Sequence, residues 1–225
     1  MLAKIAKSSP RIIAIGFHVD YFDKPWKDPF SDPKHSRRQQ AYNRIYDKPK
    51  NPDYGLYYTP MMMFNGVEAT SGTSDNARYV EAAARRALER PADATLDMEL
   101  KPGADERTAT LELRSTPKTA KARGRKLLLG AVIREEPVVT KVRSGENGGR
   151  TLTEHFAVRK FLFEEAAFAS DASVKSRSDA VSKTFDLKLA PSWALKKISV
   201  AAFVQDIENG EILQADALAW PFLKG

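Results

Sequence analysis

Residues 56–72 contain the sequence feature that most constrains the fold. The stretch includes Thr59-Pro60, continues with the apolar run Met61–Phe64 and then reaches Asn65-Gly66. An Asn-Gly pair between two such segments is the strongest short-range signal for a β-hairpin, because both residues tolerate the positive φ of a type I′ turn. Proline has no N–H to donate, so Pro60 suits the first position of a strand, where a cis X-Pro bond is also retained in some folds. The stretch therefore predicts a hairpin that begins at a proline.

The composition is typical of a soluble globular protein. The chain has 225 residues, of which 42% are hydrophobic and 29% charged, enough for one large domain or two small ones. No apolar run approaches the ~20 residues that a transmembrane helix needs. Residues 1–7 lack the apolar block of a signal peptide. If the chain is complete as written, these features predict a cytoplasmic protein.

The absence of cysteine excludes several classes of chemistry for these residues. The sequence has no Cys and three His, so it has no thiol nucleophile, no disulfide and no Cys-based zinc or iron–sulfur site. Three histidines do not favour a His-rich metal site either. We predict neither a metal nor a cofactor.

The first 91 residues alternate helical and strand patterns. Residues 1–7 have the spacing of a short helix, and the Ile-rich run 11–19 has the continuous apolar character of a parallel strand buried on both faces. Asp32-Pro33 is a suitable N-cap and first-turn pair for a helix that reaches about Tyr46. After the hairpin, residues 73–75 offer caps for a helix that Pro91 ends. We predict an α/β domain over residues 1–91.

The rest of the chain is a series of short strands. Gly, Pro and Asn turns, such as Asn209-Gly210, separate segments of alternating apolar and polar residues. The predicted strands are 95–100, 108–114, 126–134, 137–143, 151–163 (part of it possible helix), 184–189, 198–205 and 211–217. This pattern is typical of an antiparallel sandwich. We predict an all-β, sandwich-like domain over residues 92–225.

Three ordered motifs resemble a known bacterial family. Residues 16–23 with 26–30 read Gly-Phe-His-Val-Asp-Tyr-Phe-Asp and Trp-Lys-Asp-Pro-Phe, residues 143–155 contain Gly-Glu-Asn-Gly-Gly-Arg-Thr-Leu, and residues 203–206 with 210–214 close the pattern. Together they resemble the family catalogued as domain of unknown function 1223, which consists of secreted, thioredoxin-like proteins. The resemblance covers nearly the whole chain.

The resemblance implies a fold and two opposed functions. The hairpin is similar to the cis-proline hairpin of thioredoxin-like domains, and the order of elements resembles that fold with its first strand missing. Family members carry a signal peptide, that strand and a Cys-x-x-Cys segment before the position matching residue 1. The resemblance therefore implies a redox-inactive binding protein, or a truncated thiol–disulfide oxidoreductase whose cysteines lie upstream. An upstream leader would place the protein in the periplasm or outside the cell.

The resemblance also implies a binding site at Thr59 and Pro60. In thioredoxin-like folds the residue before the cis-proline presents its backbone to an extended peptide. The predicted partner is therefore an extended peptide or protein at this edge. The alternative interpretation is a proline that sets only the geometry of the hairpin.

Two further groups are candidate binding residues. His18, Asp20, Tyr21 and Trp26 follow the predicted strand 11–19, and the carboxyl ends of parallel strands are where open α/β sheets bind ligands. In a strand, His18 and Asp20 would share one face and form a His–carboxylate pair; the alternative is a pair that only orders a loop.

The second group is Glu146, Asn147, Arg150 and His155, in and after a Gly-rich loop. Its backbone amides are suited to an anion, although the phosphate-loop Lys-Ser/Thr pattern is lacking. The alternative interpretation is a network of turns.

The net charge of +7 raises a third alternative, an anion- or membrane-surface-binding protein. The excess is concentrated in residues 34–44 and 118–126. Basic clusters attract anionic partners, but no nucleic-acid motif accompanies these two, so nucleic acid is not favoured. The alternative interpretation is solvated surface charge. The sequence makes no prediction of oligomeric state.

Overall fold

The computed structural model describes residues 1–48, 50, 52–169 and 179–221. The chain is mostly β and divides into two compact units. The first contains Met1–Leu88 and Arg134–Arg159, and the second contains Glu89–Ile133 and Lys160–Gly225. Residues 134–159 thus belong to the first unit, whereas the division predicted from the sequence assigned them to the second domain.

The first unit contains three helices and two hairpins. The helices are α1 (Leu2–Lys7), α2 (Pro33–Ile45) and α3 (Ala77–Glu89). The first hairpin pairs β1 (Met61–Phe64) with β2 (Glu68–Ser71). The second, in the later segment, pairs β6 (Val138–Lys141) with β7 (Thr151–Glu154). α2 begins as predicted, because the side chain of Asp32 accepts a hydrogen bond from Lys34 N at 2.7 Å and proline occupies the first turn.

The predicted hairpin is confirmed. Asn65 and Gly66 have φ values of 47° and 72°, the left-handed conformation that a type I′ turn requires. The strand pair nearest the turn is Phe64 with Glu68, so Val67 also belongs to the loop.

Helices cover both faces of this hairpin. Met62 and Phe64 pack with a buried cluster from α1 and α3, formed by Ile5, Val80 and Ala84. Met61 and Met63 pack with Tyr42, Tyr46 and Leu56. Because successive side chains of a strand point to opposite faces, the Met-rich run serves two apolar clusters at once.

The predicted parallel strand at residues 11–19 is wrong. The segment forms only single bridges in the described residues, between Gly16 and Ala157 and between His18 and Ser31. A parallel strand is stabilised by a regular ladder of hydrogen bonds to a neighbour, and here each bridge is isolated. Arg134 fixes the segment instead by donating a hydrogen bond to Ala14 O.

The second unit contains two antiparallel sheets and confirms most of the predicted strands. One sheet has the order β3 (Asp97–Pro102), β4 (Thr108–Ser115), β9 (Val181–Lys188). The other has the order β11 (Ile212–Ala219), β10 (Ile198–Asp206), β5 (Lys126–Glu135), β8 (Ala157–Ala167). Residues 151–163 form no helix: they comprise β7, a bend at residues 155–156 and the first part of β8.

Both sheets contribute to one hydrophobic core. In β4 its members alternate with more exposed residues, as in a sheet with one face in the core. β5 and β10 are buried at nearly every position, so both of their faces are covered. The core includes Leu111 and Leu113 of β4, Leu127 and Leu129 of β5, Phe185 of β9, and Val200 and Val204 of β10. The chain is therefore mostly β with several sheets, and two of them share one core.

Candidate functional site

Gln39 organises the segment that leads to Thr59. Its side chain is buried on α2, and Nε2 donates hydrogen bonds to Leu56 O at 2.9 Å and to Tyr58 O at 2.7 Å. Its Oε1 accepts a hydrogen bond from the Tyr21 hydroxyl at 3.0 Å. One side chain therefore joins α2, the loop after residue 20 and the approach to the hairpin. The buried amide has both ends satisfied, which favours one conformation of this segment.

The backbone of Thr59 lies at an open edge. The Thr59–Pro60 peptide bond is cis, and both residues are exposed. Gly72 N, directly after β2, donates to Pro60 O at 2.9 Å, so the carbonyl of Pro60 faces the β2 side. Backbone groups alternate between the two edges of a strand, so those of Met61 and Met63 face away from β2, and Thr59 precedes them across the cis bond. Within the described residues no backbone hydrogen bond reaches these three from another segment.

Three aromatic side chains lie beside this edge and form what we call the aromatic patch: Tyr21, Phe22 and Tyr57. The Tyr21 ring centroid lies 4.9 Å from that of Phe22 and 4.5 Å from that of Tyr57. Phe22 is 66% exposed and Tyr57 36% exposed. Burial raises the pKa of Tyr21 above its ordinary value and Tyr57 adds to the rise, whereas hydrogen bonds with Gln39 and Thr59 oppose it. Tyr21 and Thr59, both predicted site residues, are thus neighbours.

The predicted His18–Asp20 pair does not form. His18 Nδ1 lies 2.7 Å from Asp28 Oδ2, and His18 Nε2 lies 3.8 Å from Glu154 Oε2. Asp20 instead accepts a hydrogen bond from the Ser36 hydroxyl of α2, and its own N–H donates to Ser36 Oγ at 3.1 Å. The prediction assumed a continuous strand, but the chain bends at Asp20, so residues two apart do not share a face. Trp26 is half-buried in the same loop.

The Gly-rich loop forms a network of turns. Gly149 N donates to Val142 O at 2.9 Å, and Arg150 hydrogen-bonds Asn147 through both its N–H (3.1 Å, to the carbonyl) and its guanidinium (3.3 Å, to Oδ1). Glu146 is exposed. His155 Nδ1 lies 3.1 Å from Glu136 Oε1, away from the glycines in sequence. These contacts fit the alternative interpretation of this group, a network of turns, and the anion site stays a prediction.

The basic cluster at residues 118–126 is largely neutralised. Arg125 donates to Asp206 at 2.8 Å and to Glu211 at 3.1 Å, while Lys121 lies 3.4 Å from Glu211. Arg123 pairs with Asp179 at 2.7 Å, and Lys126 with Glu208 at 3.2 Å. Because four of its five cations face carboxylates, this cluster has little charge left for an anion.

Two classes of site find no support in the described part of the chain. No group of three or more His, Asp or Glu side chains is arranged to hold a metal ion there. No helix among those residues is long and apolar enough to cross a membrane.

The family follows from comparison with known sequences. The model of the family described as protein of unknown function (DUF1223) matches residues 1–205. The chain belongs to the DUF1223 family. Its loop at residues 16–30, which provides Tyr21, Phe22 and Asp28, is one of the stretches that carried the resemblance. The comparison with curated proteins gives no match.

Solved structures add a likeness of fold. HBP35 of Porphyromonas gingivalis is similar at 17% identity with a TM-score of 0.56, over 86% of this chain and 61% of that protein. A domain of the outer membrane lipoprotein Omp28 from Porphyromonas gingivalis matches at 11% identity with a TM-score of 0.34, over 57% of this chain and 88% of that domain. The chain spans 61% of HBP35, and at this identity the likeness concerns the fold alone.

Five residues of this region were not predicted from the sequence as site residues: Gln39, Phe22, Tyr57, Asp28 and Glu154. Gln39 left a signal, because it stands three residues before Tyr42 on the apolar stripe of α2, where a polar residue needs buried partners. The ring contacts depend on tertiary structure and had no signal of their own.

Proposed function

We propose that this DUF1223 protein binds an extended peptide segment, free or within a partner protein, at the open edge formed by Thr59, Met61 and Met63. The proposal includes a thioredoxin-like architecture for the first unit, with the cis-proline hairpin between helices. The unpaired backbone groups of this edge carry the proposal. Edge strands pair readily with added strands, and such β-augmentation derives affinity from main-chain hydrogen bonds.

Two observations support a role in binding for this edge. Gln39 hydrogen-bonds Leu56 O and Tyr58 O, so the segment before Thr59 is held in one conformation before a ligand arrives. A preorganised site loses less conformational entropy on binding. The exposed rings of Phe22 and Tyr57 add contact area of the kind that dominates protein interfaces.

A displayed library of random twelve-residue peptides tests the proposal. We expect the purified protein to enrich peptides that Thr59→Glu no longer retains, because a charged side chain at an edge disfavours strand addition. Thr151→Glu is the matched control, since Thr151 is another exposed threonine of the same unit. The affinity of Thr151→Glu for the enriched peptides should stay within about twofold of wild type. That of Thr59→Glu should fall at least about tenfold, equivalent to about 1.4 kcal/mol. Failure to enrich any peptide, or equal retention by both variants, would reject the proposal.

A further inference from the structure

The loop beside the proposed edge presents exposed charge of one sign. Its four carboxylates, in residues 20–32, are half-buried, and each accepts a hydrogen bond from within the first unit. The Ser36 hydroxyl donates to Asp20, and the Ser31 hydroxyl donates to Asp23. The His18 ring donates to Asp28, and the backbone N–H of Lys34 donates to Asp32.

The cations of the same region are exposed instead. They are Lys24 and Lys27 in the loop and Lys34 and Arg37 on the first half of α2. Among the described residues none of the four has a carboxylate within ion-pair distance. In sequence, Lys34 and Arg37 lie on either side of Ser36, which hydrogen-bonds Asp20, the residue before Tyr21. The carboxylates keep their charge but are half-buried and already hydrogen-bonded, so the exposed, unpaired cations are the charged groups that a negatively charged partner can contact directly.

Two rings of the aromatic patch, Tyr21 and Phe22, belong to the same loop as two of these cations, Lys24 and Lys27. Phe22 is two residues from Lys24, and its ring is 66% exposed although it contacts Tyr21. Tyr21 is fixed from beneath by Gln39, so the patch is a supported surface. Aromatic side chains prefer offset or edge-to-face contact with other rings, worth about 0.5–1.5 kcal/mol beyond the area buried.

We propose that the segment bound at the Thr59 edge is acidic and carries an aromatic side chain that packs on Phe22 and Tyr57. This inference rests on the proposed function and specifies the chemistry of its ligand. Basic side chains with exposed rings also suit single-stranded nucleic acid. The unpaired amides and carbonyls of Thr59, Met61 and Met63 favour a peptide, since they match the main-chain groups of an extended polypeptide.

Synthetic peptides of matched length test the inference by fluorescence anisotropy. The probe is a fluorescein-labelled Thr/Val peptide with a central Trp and two Glu at each end, compared with versions in which Lys replaces Glu or Ala replaces Trp. We expect the Glu–Trp peptide to bind at least about tenfold more tightly than either version, and its affinity to fall as NaCl rises from about 50 to 300 mM.

Variants of the protein locate the two determinants. Phe22→Ala should weaken the affinity for the Glu–Trp peptide about fivefold or more. Tyr79→Ala removes a comparably exposed ring from α3 and should change that affinity less than about twofold. Lys24→Glu should weaken binding of the Glu–Trp peptide by a similar factor, whereas the control Lys7→Glu on α1 should leave that binding unchanged. Equal affinity for the Glu and Lys peptides, or no effect of Phe22→Ala, would overturn the inference.

The outcomes separate the inference from the proposed function. If Thr59→Glu abolishes binding of every peptide while Glu, Lys, Trp and Ala versions bind alike, the edge binds peptides without this preference and only the inference fails. If Thr59→Glu has no effect on any peptide, both fail. A labelled oligothymidylate that binds more tightly than the Glu–Trp peptide and loses affinity in Phe22→Ala would assign the surface to nucleic acid and reject the inference.

Discussion

The His18 ring and the Asp28 carboxylate form a hydrogen-bonded pair, with 2.7 Å between Nδ1 and Oδ2. Burial alone would raise the pKa of Asp28, but the hydrogen bond and charge of His18 hold it below its ordinary value, with a further contribution from Arg159. An ionised carboxylate only accepts hydrogen bonds, so Nδ1 of His18 carries a proton. Asp28 Oδ1 also accepts from Phe30 N at 2.8 Å. The pair thereby orders the loop that supports the aromatic patch.

Asp28→Asn should lower the free energy of unfolding by about 1–2 kcal/mol at pH 7, because it replaces a charged acceptor of two hydrogen bonds. The folded-state pKa of Asp28 lies below the unfolded value. Its stabilisation is therefore present above the ordinary aspartate pKa and is lost as pH falls through the lower, folded value. Urea titrations from pH 7 to 3 should show a steeper acid loss in wild type than in Asp28→Asn. Asp47→Asn, at an exposed position, is the control and should leave the curve unchanged.

His35 should make stability depend on pH above that range. Burial lowers the pKa of His35, although its hydrogen bond to His18 O, at 2.8 Å from Nδ1, opposes the shift. The folded-state pKa lies below the unfolded one, so the contribution is present above about pH 6.5, the ordinary histidine value, and is lost as pH falls through the folded pKa. His35→Asn retains a donor near the Nδ1 position but cannot titrate. Its free energy of unfolding should be lower at pH 8 and change less between pH 7 and 5; an undiminished slope would contradict this assignment.

Arg125 should be essential to the second unit. Its guanidinium pairs with Asp206 and Glu211, whose side chains are 5% and 10% exposed. Arg125→Met leaves two nearly buried carboxylates without this partner, which should cost about 3–5 kcal/mol. Lys126→Met is the adjacent control, because Lys126 and its partner Glu208 are both about two-thirds exposed and such pairs contribute about 0–1 kcal/mol. Similar denaturant midpoints for the two variants would contradict the prediction.

Gly130 should tolerate no side chain. A Cβ on this residue of β5 would lie 2.3 Å from Phe203 Cζ on the adjacent strand β10. Gly130→Ala should therefore destabilise the protein by about 1–3 kcal/mol through overpacking. Adding Phe203→Leu should recover part of that loss, and a double-mutant cycle measures the coupling. Strictly additive effects would show that the ring is not the obstacle.

The sequence by itself determined the elements that are specified within a single short segment. The Asn65-Gly66 turn, the Asp32 cap of α2 and most strands of the second unit follow from conformational preference and from the period of apolar residues, which each segment carries by itself. The family, too, was readable from ordered motifs. Of the residues gathered at the candidate site, Thr59, Pro60 and Tyr21 were among those predicted from the sequence.

Tertiary structure decided what depends on partners distant in sequence. The apolar run at residues 11–19 has the composition of a strand, but a strand exists only beside a neighbour, and the chain supplies isolated bridges there. His18 pairs with Asp28 and not with Asp20, because the chain bends at Asp20 and this carboxylate hydrogen-bonds Ser36 of α2. The spacing of the two residues in sequence did not indicate that bend. The cations at residues 118–126 look available in sequence, yet Arg125 meets carboxylates more than 80 residues away. Composition fixes how much charge and apolar surface a chain has, whereas only the folded chain fixes which of it remains exposed to a partner.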